Sequence, residues 1–294
     1  MLSRRDADQA EGLRRLLLPP TLRVVTVLGA HSGLGATSVV VNLAAALARA
    51  GKEVLVLDEN LTHDNVANTL ALKPRYDLIN AVRGDKPWRE VMLQAAGGVH
   101  VLPLARAMQT LPALSEAERE RLLDCLNAAT QGMSVVLVDA AADGHSVCAS
   151  LSGDEPLLLV LNPTASGITE SYALLKRMAA HNGRQAFDIV VNKARNEEEA
   201  RAVFDNMSQV AQRHLQVRLA YLGNIPQDDR LLRATQLSRP VVEAFPAAPS
   251  ARAFAELART PTLLPALESK GHNALTMVMQ RLLRQAAPQS VMHY

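Results

Sequence analysis

The residues best suited to chemistry gather in one glycine-rich stretch, residues 29–38, between two apolar runs. Val24, Val25, Val27 and Leu28 form a β-rich run of the kind buried on both faces of a sheet, and Gly29, Gly33 and Gly35 break it. A helix is expected from Thr37, carrying Val40, Val41, Leu43, Ala44, Leu47 and Ala48 and closed by Gly51. Residues 54–57 then read as a second buried strand ending on Asp58. In such a βαβ unit the turn's backbone N–H groups and the helix dipole face an anion, which makes the turn a phosphate site. The candidate nucleotide-binding residues are Gly33, Leu34, Gly35, Ala36, Thr37 and Ser38. Thr37 supplies a hydroxyl for Mg²⁺, and Asp58 and Asp139 each end an apolar run, where a carboxylate can hold the metal or its water.

The phosphate-loop pattern G-x-x-x-x-G-K-[ST] falls on residues 30–37. Ala30 replaces its first glycine, and Ala36 stands where a lysine would reach the β/γ-phosphates. The backbone wrap therefore survives and the charge does not. On the motif alone, a glycine-rich βα turn that binds nothing stays open as the alternative.

The rest of the chain reads as elements able to position this loop. Short helices are expected over 77–82 and 88–93, and a strand over 99–102. Ser115 and Glu118 form a capping box that opens a helix running to about Asn127. Residues 133–138 form a strand; residues 157–176 read as strand, loop and helix. Further strands cover 187–191 and 217–222, flanking an amphipathic helix over 197–215, and a helix follows at 231–237. Seven strands alternating with helices predict an α/β three-layer domain with a mostly parallel, twisted sheet. The expected division is an N-terminal helix with a Pro linker (1–20), the α/β domain (21–260) and a tail (261–294).

Taken together, these blocks resemble the MinD/ParA branch of P-loop ATPases, whose loop reads K-G-G-x-G-K-T. His31 occupies the branch's signature-lysine position, and Asn60 replaces the second carboxylate of its D-x-D. Residues 61–66 resemble its switch I segment, while Asp143 stands in place of the glycine of D-x-x-A-G. Pro163, Thr164, Ile168, Thr169, Tyr172, Ala173, Leu174 and Lys176 match a further block, after two extra residues. Upstream, Asp8, Gln9, Ala10, Leu13 and Arg14 match the D-Q-A-x-x-L-R motif of the flagellar-number regulators FlhG/FleN. The resemblance runs from Asp8 to about Leu257.

That resemblance implies a MinD-like nucleotide-binding regulator of bacterial flagellum number or placement. Asp8, Gln9, Leu13 and Arg14 would contact a signal-recognition-type GTPase, FlhF; an arm that merely packs is the alternative. It also implies flagellar switch or transcription-regulator proteins as partners, and a homodimer. Asn192 would face the adenine, against the alternative of a strand-terminal turn residue. The implied cofactors are ATP or ADP with Mg²⁺, bound weakly or lost. With charge lost at Ala36 and Asn60, altered at His31 and gained at Asp143, no catalytic residue is assigned. The expectation is a pseudo-ATPase. The rival within the branch, a ParA-type DNA-segregation ATPase, needs a local basic patch. A metabolic or electron-transfer enzyme of this class with an iron–sulfur cluster needs cysteines that Cys125 and Cys148 do not supply.

Composition bounds these readings. The chain has 294 residues, 48% hydrophobic, enough for a sizeable core, and its 3% aromatic content predicts aliphatic packing. A formal charge of +2 gives no whole-chain case for nucleic acid, and none is expected as a direct partner. The two cysteines fit a reducing cytoplasm as buried apolar thiols. At the N-terminus, Ala10, Leu13 and Leu17 share a helical face before Pro19 and Pro20. In the tail, Leu275, Val278, Met279, Leu282 and Leu283 share another, flanked by Arg281 and Arg284. A basic amphipathic helix suits the membrane interface, and a helix packed on the domain is the alternative. The expected location is the cytoplasm, peripherally at the inner face of the membrane or at a cell pole.

Overall fold

The computed structural model describes residues 22–142, Ser146, Ala149 and residues 156–263, with the backbone alone at 181–182. The arm carrying Asp8, Gln9, Leu13 and Arg14 lies outside the described residues. So do Asp143, Cys148 and the tail face of Leu275, Val278, Met279, Leu282 and Leu283.

Eight strands form one sheet: β1 (Arg23–Gly29), β2 (Val54–Asp58), β3 (Leu93–Gln94), β4 (His100–Pro103), β5 (Val135–Asp139), β6 (Leu157–Leu161), β7 (Ala186–Ala194) and β8 (Arg218–Pro226). Their spatial order is β3-β4-β2-β5-β1-β6-β7-β8. Every pair is parallel except β3–β4. Val25, Val27, Val54, Val56, Val135 and Leu137 pack against α1 (Ala36–Arg49) on one face. The alternate residues Val24, Leu55, Leu57, Val136 and Val138 pack on the other face, against a helix over Glu116–Thr130. Leu157, Leu159, Leu161, Ile189 and Val191 continue that second core, under α2 (Ala165–Asn182) and α3 (Glu197–Leu215). Burial on both faces explains why β1, β2, β5 and β6 are continuous Val/Leu runs rather than alternating ones.

Helix ends follow local chemistry. Beyond α1, Gly51 takes a left-handed φ of 78°, and Lys52 N–H donates to the Leu47 carbonyl while Gly51 N–H donates to that of Ala48. This Schellman closure satisfies two terminal carbonyls. Ser115 and Glu118 form their expected capping box, and Asp77 with Asn80 forms a second one before Leu78–Val82.

Three expectations are corrected. The helix expected over 88–93 spans only Trp88–Val91, because Leu93 and Gln94 pair with β4 as an antiparallel edge, giving an eighth strand. The strand expected over 217–222 continues to Pro226, carried by pairing with β7 past a register shift. Cys125 is half-buried rather than buried, because it lies on a helix flank against the second core.

Candidate nucleotide and metal site

The parallel order sets β2, β5 and β1 side by side, so their carboxyl ends meet at one edge. Register places Asp58 beside Asp139, and Asp139 beside Val27 just before the loop. Open α/β sheets bind ligands in the crevice outside these strand ends. Thr37, in the first turn of α1, donates its hydroxyl to Asp139 Oδ2 at 2.8 Å. Asn60 Nδ2 donates to the same Thr37 oxygen at 3.2 Å. Asp58 accepts the backbone N–H groups of Asn60 and Ala67 at 3.1 and 3.3 Å. The three expected metal residues therefore do converge.

Burial dominates their charge states. Desolvation raises the Asp58 carboxyl to about 6 despite its backbone hydrogen bonds. Desolvation, and then the neighbouring Asp58 charge, raise Asp139 well above the carboxylate range. Asp139 Oδ1 is buried with no hydrogen-bond partner, an unmet demand that a cation would satisfy. With Thr37 and Asp58 it offers the all-oxygen donor set that a hard cation such as Mg²⁺ takes, so the residues present fit one.

The loop itself alternates handedness. Gly33 and Gly35 have φ of 92° and 94°, and Leu34 between them does not share a positive φ. Such alternation makes an anion-binding concavity of backbone N–H groups. Gly35 is also the residue before α1, and a Cβ there would collide with the amide of Asn192. Asn192, buried at the end of β7, donates Nδ2 to the Leu34 carbonyl at 2.8 Å. One of its two N–H groups is thus committed to the loop.

His31, at the signature-lysine position, is held within the domain. Its Nδ1 donates to the Ser32 carbonyl at 2.6 Å, while its Nε2, 3.6 Å from Glu170 on α2, is buried without a hydrogen-bond partner. Two further groups escaped the sequence reading. Glu59 is 5% exposed; its backbone N–H donates to the Asp139 carbonyl, and its carboxylate accepts from Ala141 N–H and Ser146 Oγ. Lys193 donates Nζ to the Gly33 carbonyl at 2.9 Å. The run Asp58-Glu59-Asn60 could have signalled Glu59, but nothing local signalled Lys193. Among the described residues, no helix is long and apolar enough to cross a membrane.

A glycine-rich loop with alternating handedness, a helix behind it and carboxylates on the adjacent strand ends define a P-loop-type nucleotide-binding domain. The chain belongs to the CobQ/CobB/MinD/ParA nucleotide-binding domain family, whose model matches residues 25–241. It is 33% identical to antiactivator FleN of Pseudomonas aeruginosa over 267 residues, 90% of this chain and 95% of that one. It is 24% identical to the flagellum site-determining protein YlxH of Helicobacter pylori over 72% of each chain. The septum site-determining protein MinD of Pyrococcus horikoshii, complexed with Mg-ADP, superposes with a TM-score of 0.59 at 21% identity. That match covers 81% of this chain and 94% of that one.

Proposed function

We propose that this protein is a nucleotide-binding regulator of flagellum number or placement that works through partner binding rather than its own ATP turnover. The observation that carries the proposal is a phosphate loop complete in backbone but stripped of its lysine, in a chain similar to FleN along nearly its whole length. Its own groups account for the division of labour. Backbone N–H groups of residues 33–37 hold phosphate, and the Asn192 oxygen accepts from an adenine amine. A bound Mg²⁺ would be held by Thr37, Asp58 and Asp139 and would neutralise phosphate charge. Turnover fails because no cation stands at residue 36, Asn60 offers no carboxylate, and an imidazole turned onto the Ser32 carbonyl stands at residue 31 in place of a lysine. Removing one transition-state donor typically costs about 10²–10³ in rate.

The output is assigned to the N-terminal arm, where Asp8, Gln9, Leu13 and Arg14 act on an FlhF-type GTPase, and the tail face over 275–283 gives weak membrane attachment. The test is GTP turnover by that GTPase with the full-length chain added. The wild type raises the rate, and Gln9→Ala abolishes most of the gain. Equal rates with wild type, with Gln9→Ala and with no added chain would refute the assignment.

One observation favours the DNA-segregation reading as a second proposal. Arg230 and Arg233 are exposed on the helix Asp229–Gln236, with exposed Arg239 just beyond it and Asp228 and Asp229 at its start. Duplex DNA binding that falls steeply with salt, and is lost in Arg230→Glu/Arg233→Glu, would favour that reading over the flagellar one.

A further inference from the structure

Two consecutive residues at the end of β7 reach across to two consecutive carbonyls of the phosphate loop. Asn192 Nδ2 donates to the Leu34 carbonyl at 2.8 Å and Lys193 Nζ to the Gly33 carbonyl at 2.9 Å, over 158 and 160 residues of sequence. In a trans peptide the N–H points opposite the C=O. Turning the Gly33 and Leu34 carbonyls toward β7 therefore turns the N–H groups of Leu34 and Gly35 away from it, as donors for an anion.

Lys193 reaches this position at a backbone cost. Its φ is 61°, a left-handed conformation unfavourable for a side chain with a Cβ, and β7 changes register against β8 between Asn192 and Ala194. Strain of this kind persists only where surrounding structure imposes it, and it gathers at ligand sites. Asn192 is held as closely, since its amide fills the space a side chain at Gly35 would need. The loop meanwhile lacks the lysine that would attract phosphate from position 36.

We propose that Asn192 and Lys193 form a clamp that holds the loop's N–H groups in their anion-binding arrangement, so that it takes the diphosphate of a nucleotide without a lysine of its own. Lys193 is a positioning residue here: its ammonium is spent on a loop carbonyl. The proposal rests on the nucleotide-binding reading above and adds which residues build the site.

The experiment compares wild type, Lys193→Met and Lys193→Arg in the full chain. It uses amide hydrogen exchange over residues 30–37 without ligand and calorimetric titration with ADP. Lys193→Met keeps the stem and removes the donor; it should raise exchange in the loop and weaken ADP binding about two- to fivefold, the scale of one solvent-exposed charged hydrogen bond. Lys193→Arg should restore both. Unchanged loop exchange in Lys193→Met, or faster exchange with unchanged ADP affinity, would overturn the clamp. If the wild type binds no ADP, the nucleotide reading falls, and the loop exchange still decides whether the clamp holds the loop.

Discussion

Thr37 joins three side chains into one network, donating to Asp139 and accepting from Asn60. An aspartate at position 60 could not donate to the Thr37 oxygen and would add a charge beside Asp58 and Asp139, whose carboxyls already resist ionisation. Asn60→Asp should therefore destabilise the metal-free protein by about 1–3 kcal/mol, with Mg²⁺ recovering most of the loss. Denaturant unfolding in chelator and in Mg²⁺ checks this; a loss equal in both would contradict it. Sequence gave access to Thr37, Asp58 and Asp139 because each ends or opens an element with a clear apolar pattern. It could not give Lys193, whose role depends on a strand drawn close by the sheet order, nor the fact that the Asn192 amide is already engaged.

The elements that aim these residues are fixed by caps and by burial. Asp77 accepts the N–H of Ile79 at 3.0 Å and those of Arg106 and Ala107 at 3.0 and 3.1 Å, tying Leu78–Val82 to the helix Ala105–Thr110. Asp77→Ala leaves these donors in a largely buried place and should cost about 2–4 kcal/mol, at the upper end for a lost cap. Asp77→Asn, which keeps an acceptor oxygen, should cost less. Urea unfolding of the two variants is the measurement, and equal losses would contradict the account. Strongly periodic elements such as α3 were legible to the residue, because an amphipathic apolar stripe defines it; the structure adds that Asn196 caps its start. The edge strand β3 was not, since two residues carry no period and their state is set by β4 across the sheet.

Across the whole molecule, the metal-free site stores protons that the unfolded chain would release. The Asp58 carboxyl, raised to about 6, binds its proton in the folded state over a range where the unfolded group has lost it. The folded state then binds more protons than the unfolded one, so this contribution to stability is fully present below the ordinary carboxylate value and is lost as pH rises to about 6. The slope is about 1.4 kcal/mol per pH unit. In chelator, Asp58→Asn should remove that slope relative to wild type across about pH 4 to 6; parallel curves would contradict it. The proposed function requires that the loop keep its phosphate-binding backbone while the chemistry for hydrolysis is gone. The direct measurement is calorimetric binding of ATP and ADP with Mg²⁺ alongside ATP turnover by the same full-length protein. Saturable binding with turnover at least about a hundredfold below an intact MinD-type ATPase is the predicted result. Turnover at the rate of such an enzyme, or no binding of either nucleotide, would contradict it.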